Sequence, residues 1–185
     1  MRRAAFLDRD GVLNRAEMRS GRPHPPSVRA DVVMLPGVDD ACDRLARAGW
    51  SLFVVTNQPD ISRGTTSRRQ VDEINEVVVA GLPIVEVVVC PHDDADACHC
   101  RKPSPGMLLD IAAVWNVDLG ASVMIGDRWR DIEAGRRAGV RTILIDYGYG
   151  EELPHPPDHA VTDLAEAVDL LLEFGTSTLT PQAGA

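Results

Sequence analysis

Residues 4–14 read AAFLDRDGVLN. Four apolar residues suffice for a short buried strand, and they run directly into Asp8, Arg9, Asp10 and Gly11. Acids at the end of a buried strand are costly unless something uses their charge. In open α/β sheets, ligands bind in the crevice beyond the carboxyl ends of the strands. The same apolar run ending on polar groups recurs as SLFVVTN at 51–57 and SVMIGD at 122–127. IVEVVVC at 84–90 and RTILID at 141–146 complete a set of five expected strands.

Helical stretches alternate with these strands. Residues 39–48 carry Ala41, Leu45 and Ala48 on one face and stop at Gly49. Thr66 or Ser67 is placed to cap a helix to about Ala80. Further helices are expected at 105–115, 130–138 and 162–174, the last capped by Thr162. Residues 14–35, with Pro23, Pro25 and Pro26, are expected to be irregular. Strand–helix alternation predicts an α/β, Rossmann-like fold: a mainly parallel sheet with helices on both faces. The expected division is one domain over 1–174 and a flexible tail over 175–185.

The chain has 185 residues, 44% hydrophobic and 25% charged, with a formal net charge of −9. An acidic chain repels polyanions, which argues against nucleic acid or an anionic membrane as a partner. No apolar run approaches membrane-spanning length, and the opening apolar run is too short for a signal peptide. The expectation is a cytoplasmic monomer.

Asp8, Thr56 and Asp127 all fall at expected strand ends, so they should converge on one crevice, joined by Asp10 and Lys102. Crowded carboxylates need a cation, and Mg²⁺ favours one or two carboxylates together with phosphate oxygens. Lys102 supplies a point charge, and Thr56 and Asn57 offer a hydroxyl and an amide. Together they describe phosphoryl transfer, with a carboxylate as nucleophile.

A second cluster is CPHDDADACHC, which sets Cys90, His92, Cys98 and Cys100 as C-x-H-x5-C-x-C. Three thiolates and one imidazole suit a closed structural Zn²⁺ site. His99 is an alternative ligand, and the competing reading is a loop of free thiols. Cys42 reads as a small buried hydrophobe. The loop directly precedes Arg101-Lys102, which it should fix over the phosphate.

D-x-D-G-V-L-N at 8–14, T-N-Q at 56–58, R-K-P at 101–103 and G-D-x-x-x-D at 126–131 resemble the haloacid dehalogenase (HAD) superfamily of phosphatases. The resemblance covers about residues 3–172. It implies a flap after the first strand; the short spacing between motifs leaves no room for a large cap domain. By the same resemblance Asp8 is the nucleophile, and Asp10 protonates the leaving oxygen and then activates water. Asp8, Asp127 and the Asp10 carbonyl would hold Mg²⁺, while Thr56 and Lys102 steady the phosphoryl group. Asp131 would support the metal site or orient Lys102.

The zinc loop before R-K-P narrows the resemblance to the D-glycero-D-manno-heptose-1,7-bisphosphate 7-phosphatases, which serve nucleotide-activated heptose biosynthesis. Histidinol-phosphate phosphatases are close relatives. The resemblance implies substrate contacts for Arg101 and Arg128. Arg63 is a further candidate, or else pairs with Asp60. The loop P-D-I-S-R-G after T-N-Q departs from the commoner S-G-I-A-R-G. The flap lacks a D-x-G-Y-type segment, and His24 within it reads as a solvated loop residue. Asp60 keeps histidinol phosphate, with its cationic amine, as the alternative substrate. A nucleic-acid 3′-phosphatase is disfavoured by charge. A non-catalytic zinc-stabilised binding protein would be expected to have lost Asp8, Asp10, Lys102 or Asp127.

Overall fold

A computed structural model describes residues 1–19 and 21–176. Its centre is a six-stranded parallel sheet in the order β5-β4-β1-β6-β7-β8. The strands are β1 (Ala4–Leu7), β4 (Ser51–Asn57), β5 (Ile84–Cys90), β6 (Val123–Gly126), β7 (Arg141–Ile145) and β8 (His159–Val161). Alternation along each strand divides the core. Ala5, Leu7, Leu52 and Val54 face one side, where they pack with α1 (Val38–Arg47), α2 (Arg68–Val78) and α5 (Leu164–Thr176). Ala4, Phe6, Phe53 and Val55 face the other, against α3 (Gly106–Trp115) and the end of α4 (Trp129–Ala138).

The chain leaves β1 for β4 and β5 on one side, then returns to β6 on the other side of β1. That reversal opens a crevice at the carboxyl end of β1. The five strands and five helices read from the sequence are all present. β8 is additional, a three-residue edge strand paired only to β7.

Residues 14–35 are less irregular than expected. β2 (Glu17–Arg19) and β3 (Arg22–His24) form a small antiparallel hairpin. It is the flap, and Ala16, Pro23, His24 and Pro25 line the crevice. His24 is therefore at the site rather than in free solvent. Ser67 rather than Thr66 caps α2, accepting from the Gln70 backbone N–H. For α5 it is Asp163, not Thr162, that accepts from the Glu166 backbone N–H, at 2.9 Å. Residues 175 and 176 belong to α5 instead of a tail, and the rest of the expected tail, 177–185, lies outside the described residues. Among the described residues no helix is long and apolar enough to cross a membrane.

Candidate active site

Asp8 stands one residue past β1, and its backbone N–H donates to the Ile125 carbonyl of β6 at 2.9 Å. β1 thus delivers the carboxylate to the gap between β4 and β6. The crevice is about 320 Å³ and is lined by Asp8, Asp10, Thr56, Lys102, Asp127 and Asp131 among others. Gly11 closes the turn at φ +86°, and a Cβ there would overlap the Asp127 carboxylate. Only glycine allows the two acidic loops to approach this closely.

Lys102 is buried at the centre. Its Nζ donates to Asp8 Oδ1 at 2.8 Å, to the Val55 carbonyl at 2.7 Å, and lies 2.6 Å from Asp131 Oδ1. Asp131 Oδ2 accepts from the Arg128 backbone N–H at 3.0 Å, so Asp131 both caps α4 and orients Lys102. Asp8, Asp127 and Asp131 each present a ligand oxygen, all within 4.8 Å of one another. Two of these three acids share one lysine. Burial, against the pull of Lys102, pushes the Asp8 carboxyl up to about 7, with Asp131 and Asp10 adding to the rise. Burial, then the charge of Asp8, holds Asp127 well above the usual carboxylate range.

Asp127 Oδ1 is buried with no hydrogen-bond partner among protein atoms. An orphaned carboxylate oxygen beside two more acids is what a hard divalent cation would satisfy. The donor set therefore fits Mg²⁺, with Asp131 joining the acids expected from the sequence.

Thr56 Oγ1 accepts from Gln58 Nε2 at 2.9 Å, and the same amide reaches Asp10 Oδ2 at 2.9 Å. Asp10 also accepts from Asn14 Nδ2 at 3.0 Å and from Arg9 Nη2 at 2.9 Å. Arg9 is 1% exposed and is held from behind by Asn75 Oδ1 of α2 at 2.7 Å. The sequence alone marks no role for Arg9 or Asn75, and marks Gln58 only as the last residue of T-N-Q.

Asn57, expected at the substrate, lines the crevice. Its Nδ2 donates to the Lys102 carbonyl at 2.9 Å and its Oδ1 accepts from the Lys102 N–H at 3.1 Å. Both polar atoms are committed to holding the Lys102 backbone. Arg63 lines the crevice paired with Asp93 at 2.6 Å and Asp60 at 3.2 Å. Arg101 pairs with Asp94 at 2.8 Å, and Arg128 with Glu151. Arg130, not singled out from the sequence, lines the same crevice.

The second cluster assembles beside it. Cys100 Sγ lies 3.3 Å from Cys90 Sγ and 3.4 Å from Cys98 Sγ, and His92 Nδ1 lies 3.3 Å from Cys100 Sγ. Metal–sulfur bonds of about 2.3 Å in a tetrahedron give edges near ~3.8 Å, so four donors at these separations surround one metal-sized space. His99 points elsewhere, with Nε2 2.9 Å from Asp110. Cys42 is fully buried and its thiol is pushed up to about 12 by burial, then by Asp43 and Asp39.

A parallel sheet whose central strand ends on paired acids, with a buried lysine and a third acidic loop converging on them, defines a HAD-like phosphatase. The family model described as "HAD-hyrolase-like" matches residues 99–167. A D-glycero-beta-D-manno-heptose-1,7-bisphosphate 7-phosphatase of Rhodopseudomonas palustris is 40% identical over 154 residues, 75% of this chain and 81% of that one. Its counterpart in Neisseria meningitidis serogroup A is 32% identical, covering 91% of this chain and 90% of its own. The crystal structure of D,D-heptose 1,7-bisphosphate phosphatase from B. bronchiseptica, complexed with magnesium and phosphate, matches with a TM-score of 0.80. It is 31% identical and covers 93% of this chain and 99% of its own. The chain belongs to the heptose-bisphosphate phosphatase family of HAD-like hydrolases, enzymes that hydrolyse phosphomonoesters.

Proposed function

We propose that the chain removes the 7-phosphate of D-glycero-β-D-manno-heptose 1,7-bisphosphate, in the supply of nucleotide-activated heptose. The observation that carries this reading is the Asp8–Lys102–Asp131 chain beside Asp127, in a crevice rimmed by arginines. Family membership supplies the sugar, through relatives named for this substrate.

In this reading the Asp8 carboxylate attacks phosphorus while Asp10 gives its proton to the departing sugar oxygen, leaving an aspartyl-phosphate. Asp10 then takes a proton from water as that water attacks phosphorus, and phosphate leaves Asp8. Lys102 and Thr56 hold the phosphoryl oxygens, and Asn57 holds Lys102. Asp8, Asp127 and Asp131, with the Asp10 carbonyl, would hold Mg²⁺, which supplies charge neutralisation for the phosphoryl group. Gln58 ties the acid–base residue to Thr56, so the two move as a unit. The acidic net charge supports a small substrate rather than nucleic acid or an anionic membrane, and we assign the enzyme to the cytoplasm as a monomer. Reduced Cys90, Cys98 and Cys100 fit that compartment.

Phosphate release with Mg²⁺ tests the substrate. The panel holds both anomers of the heptose bisphosphate, histidinol phosphate and a 3′-phosphorylated oligonucleotide. The β anomer is expected to lead by at least about tenfold in kcat/KM, the scale of one net hydrogen bond. A lead for histidinol phosphate would overturn the substrate and give the crevice carboxylate Asp60 the decisive role.

Cys90, His92, Cys98 and Cys100 are assigned to one structural Zn²⁺. Its support is the donor set and its spacing. The loop it closes carries Arg101 and Lys102, so losing the metal should disorder both. Elemental analysis of purified protein is expected to give one zinc per chain, and Cys98→Ser to lower that content and the melting temperature together. Equal zinc in wild type and variant would remove the ligand assignment.

A further inference from the structure

Arg9 is buried behind the crevice rather than in it. A buried guanidinium adds little net stability, because desolvation offsets what its ion pair returns. Its contacts supply another reason for its burial. Nε and Nη2 form a fork on Asp10, with Nε 3.2 Å from Oδ1 and Nη2 2.9 Å from Oδ2. Nη1 donates the other way, to Asn75 Oδ1 of α2 at 2.7 Å. The Arg9 carbonyl accepts from the backbone N–H groups of Leu13 at 2.9 Å and Asn14 at 3.1 Å. Side chain and backbone are thus both fixed, one by a helix and the other by the turn that follows β1.

The fork completes a set of donors around the Asp10 carboxylate. Asn14 Nδ2 donates to Oδ1 at 3.0 Å and Gln58 Nε2 to Oδ2 at 2.9 Å. Each oxygen is therefore held by the arginine and by one side-chain amide. The carboxylate is tied to the turn after β1, to the turn after β4 and, through Arg9 and Asn75, to α2. A single donor leaves a carboxylate free to rotate, whereas a two-pronged guanidinium fixes its plane. The Asp10 side chain keeps 15% of its surface exposed, and it lines the crevice.

We propose that Arg9, anchored by Asn75, is the positioning residue that sets the plane of the Asp10 carboxylate for both of its proton transfers. This rests on the acid–base role given to Asp10 above and deepens it. Arg9 acts only through Asp10, so the effect of loosening it depends on the leaving group. A sugar alkoxide needs a proton from Asp10 as its bond to phosphorus breaks, whereas p-nitrophenolate is stable as an anion and leaves without one. Attack of water on the aspartyl-phosphate needs Asp10 as proton acceptor whichever group has left. With p-nitrophenyl phosphate, a loosened Asp10 therefore spares the first step and slows the second, and the aspartyl-phosphate accumulates.

The test follows p-nitrophenolate and phosphate separately after rapid mixing of p-nitrophenyl phosphate and Mg²⁺ with wild type, Arg9→Lys, Asn75→Ala and Asp10→Asn. Arg9→Lys keeps the charge and loses the fork. Its first release of p-nitrophenolate is expected to stay close to the wild-type rate. Its steady state should fall on the order of 10²-fold, the scale of a misplacement of about 1 Å. A burst of p-nitrophenolate without a burst of phosphate is the signature. Asp10→Asn should show the same pattern more strongly and Asn75→Ala more weakly. A fall in both steps without a burst would overturn the proposal, since a damaged fold or a displaced Asp8 slows them alike. So would wild-type kinetics in Arg9→Lys or in Asn75→Ala. If Arg9→Lys does not fold, Asn75→Ala decides, because Asn75 meets Asp10 only through Arg9. Asp10→Asn without the burst would remove the acid–base role itself and the proposal with it, whereas the burst in Asp10→Asn alone would leave that role standing and remove only Arg9.

Discussion

Asp8→Asn is expected to reduce phosphate release by on the order of 10⁵-fold, the scale at which removing a catalytic nucleophile acts. The substitution keeps shape and removes only the attacking charge. The fold should survive, because Lys102 keeps Asp131 as a partner at 2.6 Å. Stability gives an independent readout. In chelator-treated protein the Asp8 carboxyl is pushed up to about 7, first by burial, above its unfolded value of 3.8. A carboxyl raised in the folded state binds its proton more tightly there. Its contribution is full below the unfolded value and is lost as pH rises towards 7. Wild type should therefore lose stability between about pH 4 and 7 relative to Asp8→Asn, read by denaturant melts across that range. Turnover within tenfold of wild type would remove Asp8 as nucleophile. Parallel pH–stability curves would remove the buried-acid account.

The elements that could be read in the sequence were those whose signal is local. SLFVVTN and IVEVVVC are long apolar runs, and their strands begin and end on the expected residues. β8 was missed because three residues, His159, Ala160 and Val161, carry no measurable alternation. Its docking depends on Asp158, whose carboxylate holds the Thr142 backbone N–H at 2.7 Å from sixteen residues away. The flap hairpin was hidden by Pro23, which sits in an isolated two-stranded ribbon that tolerates a missing donor.

The site divides in the same way. Asp8, Asp10, Thr56, Lys102 and Asp127 were legible because strand ends in a parallel sheet must meet. Roles that depend on partners far along the chain were not. Arg9 sits between two acids and reads as a solvated charge. It is buried only because Asn75, 66 residues away, satisfies it behind Asp10. Asn57 reads as a donor to substrate because no local pattern reveals that Lys102 brings both an N–H and a carbonyl to meet it. Arg130 lies one residue before Asp131 on a helix, where a solvated arginine is the ordinary reading. Its place in the crevice follows from Asp94, 36 residues earlier.

Lys102→Met should have the largest combined effect, because Lys102 serves structure and chemistry with the same atom. Its Nζ meets Asp8, Asp131 and the Val55 carbonyl. Methionine fills similar volume and leaves two carboxylates and a carbonyl oxygen without that cation. Removing one partner of a buried ion pair costs about 3–5 kcal/mol, or roughly 10 °C in melting temperature for a domain of this size. The loss should be greatest in chelated protein at neutral pH and smaller in acid, where Asp8 and Asp127 are protonated and less of the lysine's charge is needed. Added Mg²⁺ should raise the melting temperature of the variant more than that of wild type, since a divalent cation then takes over neutralisation of the same carboxylates. Turnover should stay lost even at saturating Mg²⁺, because the point charge that steadies the phosphoryl oxygens is gone. A variant as stable as wild type after chelation, or one that Mg²⁺ stabilises no more than wild type, would show that Lys102 is not the counterion of this acidic cluster. Recovery of turnover by Mg²⁺ alone would separate the lysine from phosphoryl binding and leave it only a structural role.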